Sequence, residues 1–276
     1  VATRSSSGRS TKDYAAIAAS RIIHPAEVKR HPKFLIYSRN KKGKTTFGLS
    51  GGVERTLVLD PERGTAEMRS SNPNVWPIER WEDYDDAYNY LRYSDHPYQW
   101  VVVDAMTKVN NICLKHVMKT QEEKSLDRIP GFVQKQDYGK SGELMKDLIN
   151  RFHNMPMGVV FTANERIESR YDSEEDAEVE REDKEENSVT YVPDVPKAVR
   201  AAVNSTVDVI GRLYTVKDVE GKVERRLWIG DSIKYDTGYR SDFVLPEYVA
   251  KPTLPKLVRL IRTGKETAPA RPAPAK

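Results

Sequence analysis

Five short apolar runs, FLIYS, TLVLD, WVVVD, GVVFTAN and DVIGRLYTV, alternate with amphipathic helical stretches along the chain, and no other feature narrows the possible folds as far. Runs that are apolar nearly throughout must be buried on both faces, as strands are in a parallel sheet covered by helices. The pattern predicts an α/β domain with a mostly parallel central sheet flanked by helices. At 276 residues the chain can bury a substantial core, and it suits one large α/β domain with appendages better than two independent domains. The appendages are a basic, Ser/Arg-rich arm over residues 1–30, expected to be partly disordered, and a tail over 251–276 whose Pro/Ala-rich end cannot form a core element. Between them lies a core over 31–250, interrupted by an acidic insert over 168–190.

Charge is distributed unevenly along the chain. The formal net charge is +4, yet Val1 to Thr45 holds eleven Lys/Arg against two Asp/Glu, while Tyr171 to Asn187 holds ten acids and two basic residues. The basic start suits phosphate contact by counterion release, and the acidic block, 172–186, would repel phosphate. No apolar run approaches the ~18 residues that a membrane helix needs. Without a signal-peptide pattern, a cytosolic protein is the default. Cys113 is the only cysteine, so it has no intramolecular disulfide partner and reads as a buried thiol. The five histidines show no metal-ligand spacing, which argues against a protein metal cage.

The first apolar run feeds a loop with chemistry of its own. Ser38-Arg39-Asn40-Lys41-Lys42-Gly43-Lys44-Thr45 fits the phosphate-loop pattern G-x-x-x-x-G-K-[ST] everywhere except its first position. Such a loop needs a delivering strand, a turn whose N–H groups converge on the anion, and a following helix. Ser38 through Thr46 is therefore the candidate site for ATP. Gly43 permits close backbone approach, Lys44 is suited to the β/γ-phosphates, and the Thr45 hydroxyl is suited to Mg2+. Ser38 must take whatever backbone conformation the turn requires, which a serine manages at negative φ and otherwise at modest strain.

A second element strengthens the reading. Trp100 to Asp104 is a buried strand ending in a carboxylate sixty residues after Lys44, the form of a Walker B segment whose aspartate holds the Mg2+ shell. Position 105 is Ala, so no glutamate follows directly to activate water. Glu62 is the candidate base instead, two residues beyond Asp60 and just past the second strand, on the edge where open α/β sheets build their sites.

With Lys44, Asp104 and Leu59-Asp60-Pro61-Glu62 in view, the sequence resembles the RecA-like P-loop ATPases, in which a glutamate after the second strand polarises the attacking water. Asp137 to Arg166, a helix with YGK followed by the strand VVFTA, is similar to the single-strand-annealing branch of that family found largely in bacteriophages. The resemblance spans about Pro32 to Pro246. It implies a RecA-like core with a C-terminal β-hairpin near Glu220-Gly221, and Asn164 as a γ-phosphate sensor. It also implies Lys234 or Arg240 as a finger reaching a neighbouring subunit's nucleotide in a ring or filament. The implied partners are single-stranded DNA, further copies of the chain and a single-strand-binding protein, in the cytoplasm of a bacterial host.

Two other stretches suggest nucleic-acid contact. Trp81, Tyr84, Tyr88 and Leu91 recur at helical spacing, a pattern that reads as core before base stacking. The polar stretch after Asp104, with Lys115, Lys119 and Lys135, is the better candidate and is expected to be a long connection. The loop, the strand ending at Asp104 and Glu62 thus predict a P-loop ATPase, and the resemblance implies that it acts on single-stranded DNA in phage recombination or replication. A P-loop kinase and a non-enzymatic assembly or packaging subunit with a degenerate nucleotide site remain as alternatives.

Overall fold

The computed structural model describes residues 13–24, 30–125, 127–169, 189–217 and 219–266. The chain divides into two compact units, residues 1–30 and 31–276. In the first, helix α1 (Tyr14–Arg21) begins at Asp13, whose carboxylate accepts from the amides of Ala15 and Ala16 at 3.1 Å each. That side-chain cap satisfies donors that a helix start leaves open. Most of the basic arm, residues 1–12 and 25–29, lies outside the described residues.

Among the described residues the second unit has ten strands: β1 (Lys33–Ser38), β2 (Thr56–Asp60), β3 (Asn74–Pro77), β4 (Trp100–Val103), β5 (Gly158–Ser169), β6 (Val189–Pro193), β7 (Val209–Lys217), β8 (Val223–Trp228), β9 (Gly238–Tyr239) and β10 (Tyr248–Ala250). Their spatial order is β10-β8-β7-β1-β5-β4-β2-β3, with β6 paired to β5 and β9 to β7. The six strands from β7 to β3 are mutually parallel. Strands β8 and β10 extend the sheet antiparallel, so β7 and β8 make the expected C-terminal hairpin. The α/β fold with a mostly parallel sheet is thus the one the apolar runs predict.

Burial on both faces explains why those runs lack alternation. Leu35 and Tyr37 of β1 join one core with Val101, Val103, Val159 and Phe161, while Phe34 and Ile36 join the other with Val58, Val102 and Val160. The first core is covered by α3 (Glu82–Tyr93), α4 (Met106–Lys124), α5 (Lys135–His153) and α6 (Lys197–Thr206). The second is covered by α2 (Lys44–Leu49) and α7 (Leu254–Thr263). Trp81, Tyr84 and Leu91 are buried in the first core and Tyr88 packs against it, so the aromatic stripe is a packing face. Cys113 is buried there as well, and burial pushes its thiol up to about 12.

Three boundaries differ from the sequence reading. The body does not end at residue 250. Helix α7 places Leu254, Leu257 and Leu260 in the second core, an apolar stripe at three-residue steps that the neighbouring prolines obscured. The polar stretch with Lys115, Lys119 and Lys135 is a connection only over residues 125–134: Lys115 and Lys119 lie on the 19-residue helix α4 and Lys135 opens the 19-residue helix α5. Each is amphipathic, with the lysines on the outer side. Of the acidic insert expected over 168–190, residues 170–188 lie outside the described residues, and its two ends are strand, since Glu168 and Ser169 of β5 pair with Thr190 and Val189 of β6.

Candidate active site

The C-terminal ends of β1, β2, β4 and β5 meet at one edge of the sheet, where the strands deliver polar residues after their apolar runs. Strand β5 separates β1 from β4, and its register sets Asn164 opposite Ser38 and Phe161 opposite Val103. Thr162 and Asn164 are two apart, so both project to one side of the strand, toward the loop after β1 and the end of β4.

Ser38 is the last residue of β1, fully buried and outside the positive-φ region, so its position makes no demand for glycine. The left-handed conformations of the loop fall at Lys41 (φ 61°) and Gly43 (φ 94°). Helix α2 begins immediately afterwards with Lys44, whose ammonium donates to the Asn164 side-chain carbonyl at 3.0 Å and to the Ser38 carbonyl at 3.4 Å. Burial lowers the Lys44 pKa below that of a free lysine, against the opposing pull of Asp104, Glu62 and Glu165. The Thr45 hydroxyl donates to one oxygen of Asp104, and the Thr162 hydroxyl donates to the other. Both carboxylate oxygens of Asp104 are therefore engaged by hydroxyls from two different elements. The peptide bond between Asp104 and Ala105 is cis.

Glu62 arrives from the loop after β2, and Asp60 shapes that loop. Asp60 is buried, and its carboxylate accepts from the amides of Glu62 (3.0 Å), Gly64 (3.3 Å) and Thr65 (2.9 Å) and from the Thr65 hydroxyl (2.6 Å). One carboxylate thus organises the turn that presents Glu62, a stronger device than the Asp-Pro pair alone suggests.

A cavity of about 600 Å³ collects these groups. Asn40, Lys41, Gly43, Lys44, Thr45 and Thr46 line it from the loop, Glu62 and Asp104 from the neighbouring strand ends, and Asn164 from β5. Beside it lies a second cavity of about 820 Å³, bounded by the same loop, Phe47 of α2 and Ser50 just after it, Leu213 and Thr215 of β7, and Thr253. Lys42 turns toward this second space and donates to the Thr215 hydroxyl at 3.1 Å. Arg39 instead faces Glu165 at 3.4 Å. Lys234 and Arg240 line neither cavity; the Arg240 guanidinium donates to the Ser205 carbonyl at 2.5 Å.

The sequence reading meets Asp60 and Thr162 without giving either a role in the site, and it does not single out Arg225. Asp60 carried a legible signal, a buried-strand aspartate followed by Pro, Gly and Thr. Thr162 and Arg225 carried none, because strand pairing alone brings them to the site.

A family profile described as an AAA domain matches residues 30–241. No curated protein matches the chain. Among solved structures, the flagellar accessory protein FlaH from Methanocaldococcus jannaschii matches over 71% of this chain and 76% of its own, at 7% identity and a TM-score of 0.32. An uncharacterised protein, PH0321, from Pyrococcus horikoshii, solved with an unknown peptide, matches over 77% of this chain and 93% of its own, at 10% identity and a TM-score of 0.37.

Proposed function

The chain belongs to the AAA domain family of P-loop nucleotide-binding proteins, and from that premise we propose that it hydrolyses ATP in work on single-stranded DNA. The observation that carries the ATP reading is the pair of hydrogen-bonded sets in one cavity, Lys44 with Asn164 and Thr45 with Asp104 and Thr162. A hydroxyl and a carboxylate already in contact are the hard oxygen donors that suit Mg2+, and the adjacent ammonium suits a polyphosphate. Thr45 and Asp104 would hold the metal, and bound Mg2+ would neutralise charge on the β- and γ-phosphates. Lys44 would exchange its bond to Asn164 for phosphate oxygens, leaving the Asn164 amide to report the terminal phosphate. Glu62, presented by the Asp60 turn, would orient a water and take its proton. The second cavity, with Phe47 and Leu213, offers the less polar walls that a nucleoside needs.

The DNA half of the reading rests on the family resemblance and on one groove. A cavity of about 560 Å³ beside the Glu62 loop is lined by five basic side chains, Lys108, Lys115 and Lys119 of α4 with Arg63 and Arg80, against two acids, Glu79 and Glu82. The arginines pair with Glu79 and Asp83, whereas the three lysines have no carboxylate partner among the described residues. Unpaired cations in a row suit a phosphate backbone. Phage recombination or replication is the setting that the resemblance supports. Lys234 and Arg240 stand outside the cavity of their own chain, so a finger role for either requires a second copy in a ring or filament.

Measuring Mg-ATP binding and turnover, with and without single-stranded DNA, tests the proposal on the unsubstituted chain, Lys44→Ala and Glu62→Gln. Lys44→Ala is expected to abolish binding. Glu62→Gln should keep binding and lose roughly two orders of magnitude in turnover. Equal ATP affinity in the unsubstituted chain and Lys44→Ala would remove the P-loop reading, and turnover indifferent to DNA would remove the DNA reading.

A further inference from the structure

Arg225 occupies a place that no local motif predicts. Side chains alternate along β8, so Arg225 shares a face with Val223 and Leu227, while Glu224, Arg226 and Trp228 point the other way. Leu227 is fully buried in the core beneath α2 and α7, which turns the Arg225 face toward the phosphate loop. Backbone pairing holds the strand there: Leu213 of β7 opposes Leu227, Ala250 of β10 opposes Arg226, and the Lys251 amide donates to the Arg225 carbonyl at 2.9 Å.

The guanidinium lies directly over Gly43. A β-carbon built on Gly43 would stand 2.8 Å from Arg225 Nε and 3.0 Å from its Cζ, so a side chain at 43 would have to displace the guanidinium from this place. Arg225 lines both the 600 Å³ cavity that holds Lys44, Thr45 and Asp104 and the neighbouring 820 Å³ cavity. It therefore stands at their junction. The neighbouring arginine is committed elsewhere, since Arg226 bonds Glu224 at 2.9 Å and stacks over Tyr248. Arg225 makes no side-chain hydrogen bond or ion pair with any described residue.

An unpaired guanidinium above a phosphate loop, at the passage between a cavity of phosphate- and metal-binding type and a less polar one, has the chemistry of an oxyanion clamp. Its planar fork presents several donors at once, which matches the oxygens of a phosphate better than an ammonium does. We infer that Arg225 is a nucleotide-binding residue supplied by the chain's own β7–β8 hairpin, gripping the α-phosphate, on the nucleoside side of the β- and γ-phosphates that Lys44 holds. The inference rests on the nucleotide reading of the cavity. Because the α-phosphate takes no part in the bond changes of hydrolysis, the grip acts on the bound nucleotide and its reaction transition state alike, and its loss should appear in affinity rather than in turnover.

The test compares the full-length chain with Arg225→Ala and Arg225→Lys, measuring ATP and ADP affinity in Mg2+, turnover at saturating ATP, and the urea midpoint as a fold control. Arg225 is exposed on its strand, so both variants are expected to keep the midpoint. Arg225→Ala should weaken ATP and ADP together by about ten- to a hundredfold with saturated turnover nearly unchanged, and Arg225→Lys should recover part of the loss. ATP affinity in Arg225→Ala within twofold of the unsubstituted chain, or tighter, would overturn the inference while leaving the nucleotide site standing. Absence of ATP binding in the unsubstituted chain would overturn the nucleotide reading, and the clamp with it.

Discussion

Ser38 shows how a motif can be incomplete in sequence and complete in geometry. The first glycine of a phosphate loop is demanded only where the backbone turns left-handed, and here the turn is made three and five residues later, at Lys41 and Gly43. Ser38 is still strand, and its hydroxyl donates to the Arg39 carbonyl at 2.8 Å. Position 38 is therefore the case that a serine meets without strain, a backbone outside the left-handed region. Ser38→Gly should lower stability by roughly 0.5–1 kcal/mol, the cost of a glycine in a strand, without tightening ATP binding. Lys41→Gly should leave stability equal or raise it by up to about 1 kcal/mol, because φ 61° burdens a side-chain-bearing residue. Urea midpoints for the two variants, read against the unsubstituted chain, decide between the positions; a stabilising Ser38→Gly would contradict the strand assignment.

At the scale of elements, the site depends on how strands end. Strand β2 ends in a buried carboxylate that ties down three amides and a hydroxyl, so the loop after it is held from inside rather than by its own turn residues. Removing Asp60 orphans those donors and frees Glu62, while Lys44, Thr45 and Asp104 keep their partners. Asp60→Ala is expected to cost about 1–3 kcal/mol of stability. Turnover should fall toward that of Glu62→Gln, with ATP affinity kept within a few-fold. A variant with normal turnover would show that the turn forms without its carboxylate. Strand β5 works differently. Its two-residue period sends Thr162 to Asp104 and Asn164 to Lys44, so one strand braces both the metal pair and the lysine.

At the scale of the molecule, the start of β1 carries a titratable group that links stability to pH. Lys33 is 4% exposed, and its ammonium donates to the carbonyls of Met155 (2.9 Å) and Met157 (2.6 Å) at the entrance to β5. Burial, partly offset by Asp208, lowers its pKa to about 8 from 10.5. Between those values the unfolded chain holds a proton that the folded chain has released, so the Lys33 contribution to stability rises with pH over that interval. Burial pushes the hydroxyls of Tyr37 and Tyr84 the other way, upward, so above pH 10 the folded chain retains protons that the unfolded chain gives up, and stability then falls. Lys33→Met should therefore remove a positive slope in urea-derived stability between pH 8 and 10. Parallel slopes in the variant and the unsubstituted chain would show that Lys33 titrates normally. No helix among the described residues is long and apolar enough to cross a membrane.

What the sequence by itself determined is what neighbouring residues can express. Five unbroken apolar runs specify strands buried on two faces, and Gly43-Lys44-Thr45 after one of them specifies a phosphate-loop turn, since both signals lie within a dozen residues. The stripe of Trp81, Tyr84 and Leu91 is legible as core for the same reason. Tertiary structure alone decided that β5 inserts between β1 and β4, bringing Asn164 to Lys44 across 120 positions, and that β8 swings Arg225 over Gly43. It also decided that α7 belongs to the body, because an amphipathic helix beyond the last predicted strand is core only if a sheet face is left for it to cover. Strand order and register have no local period. They follow from which pairing of all the strands buries the most apolar surface, a property of the whole chain that no segment of it contains.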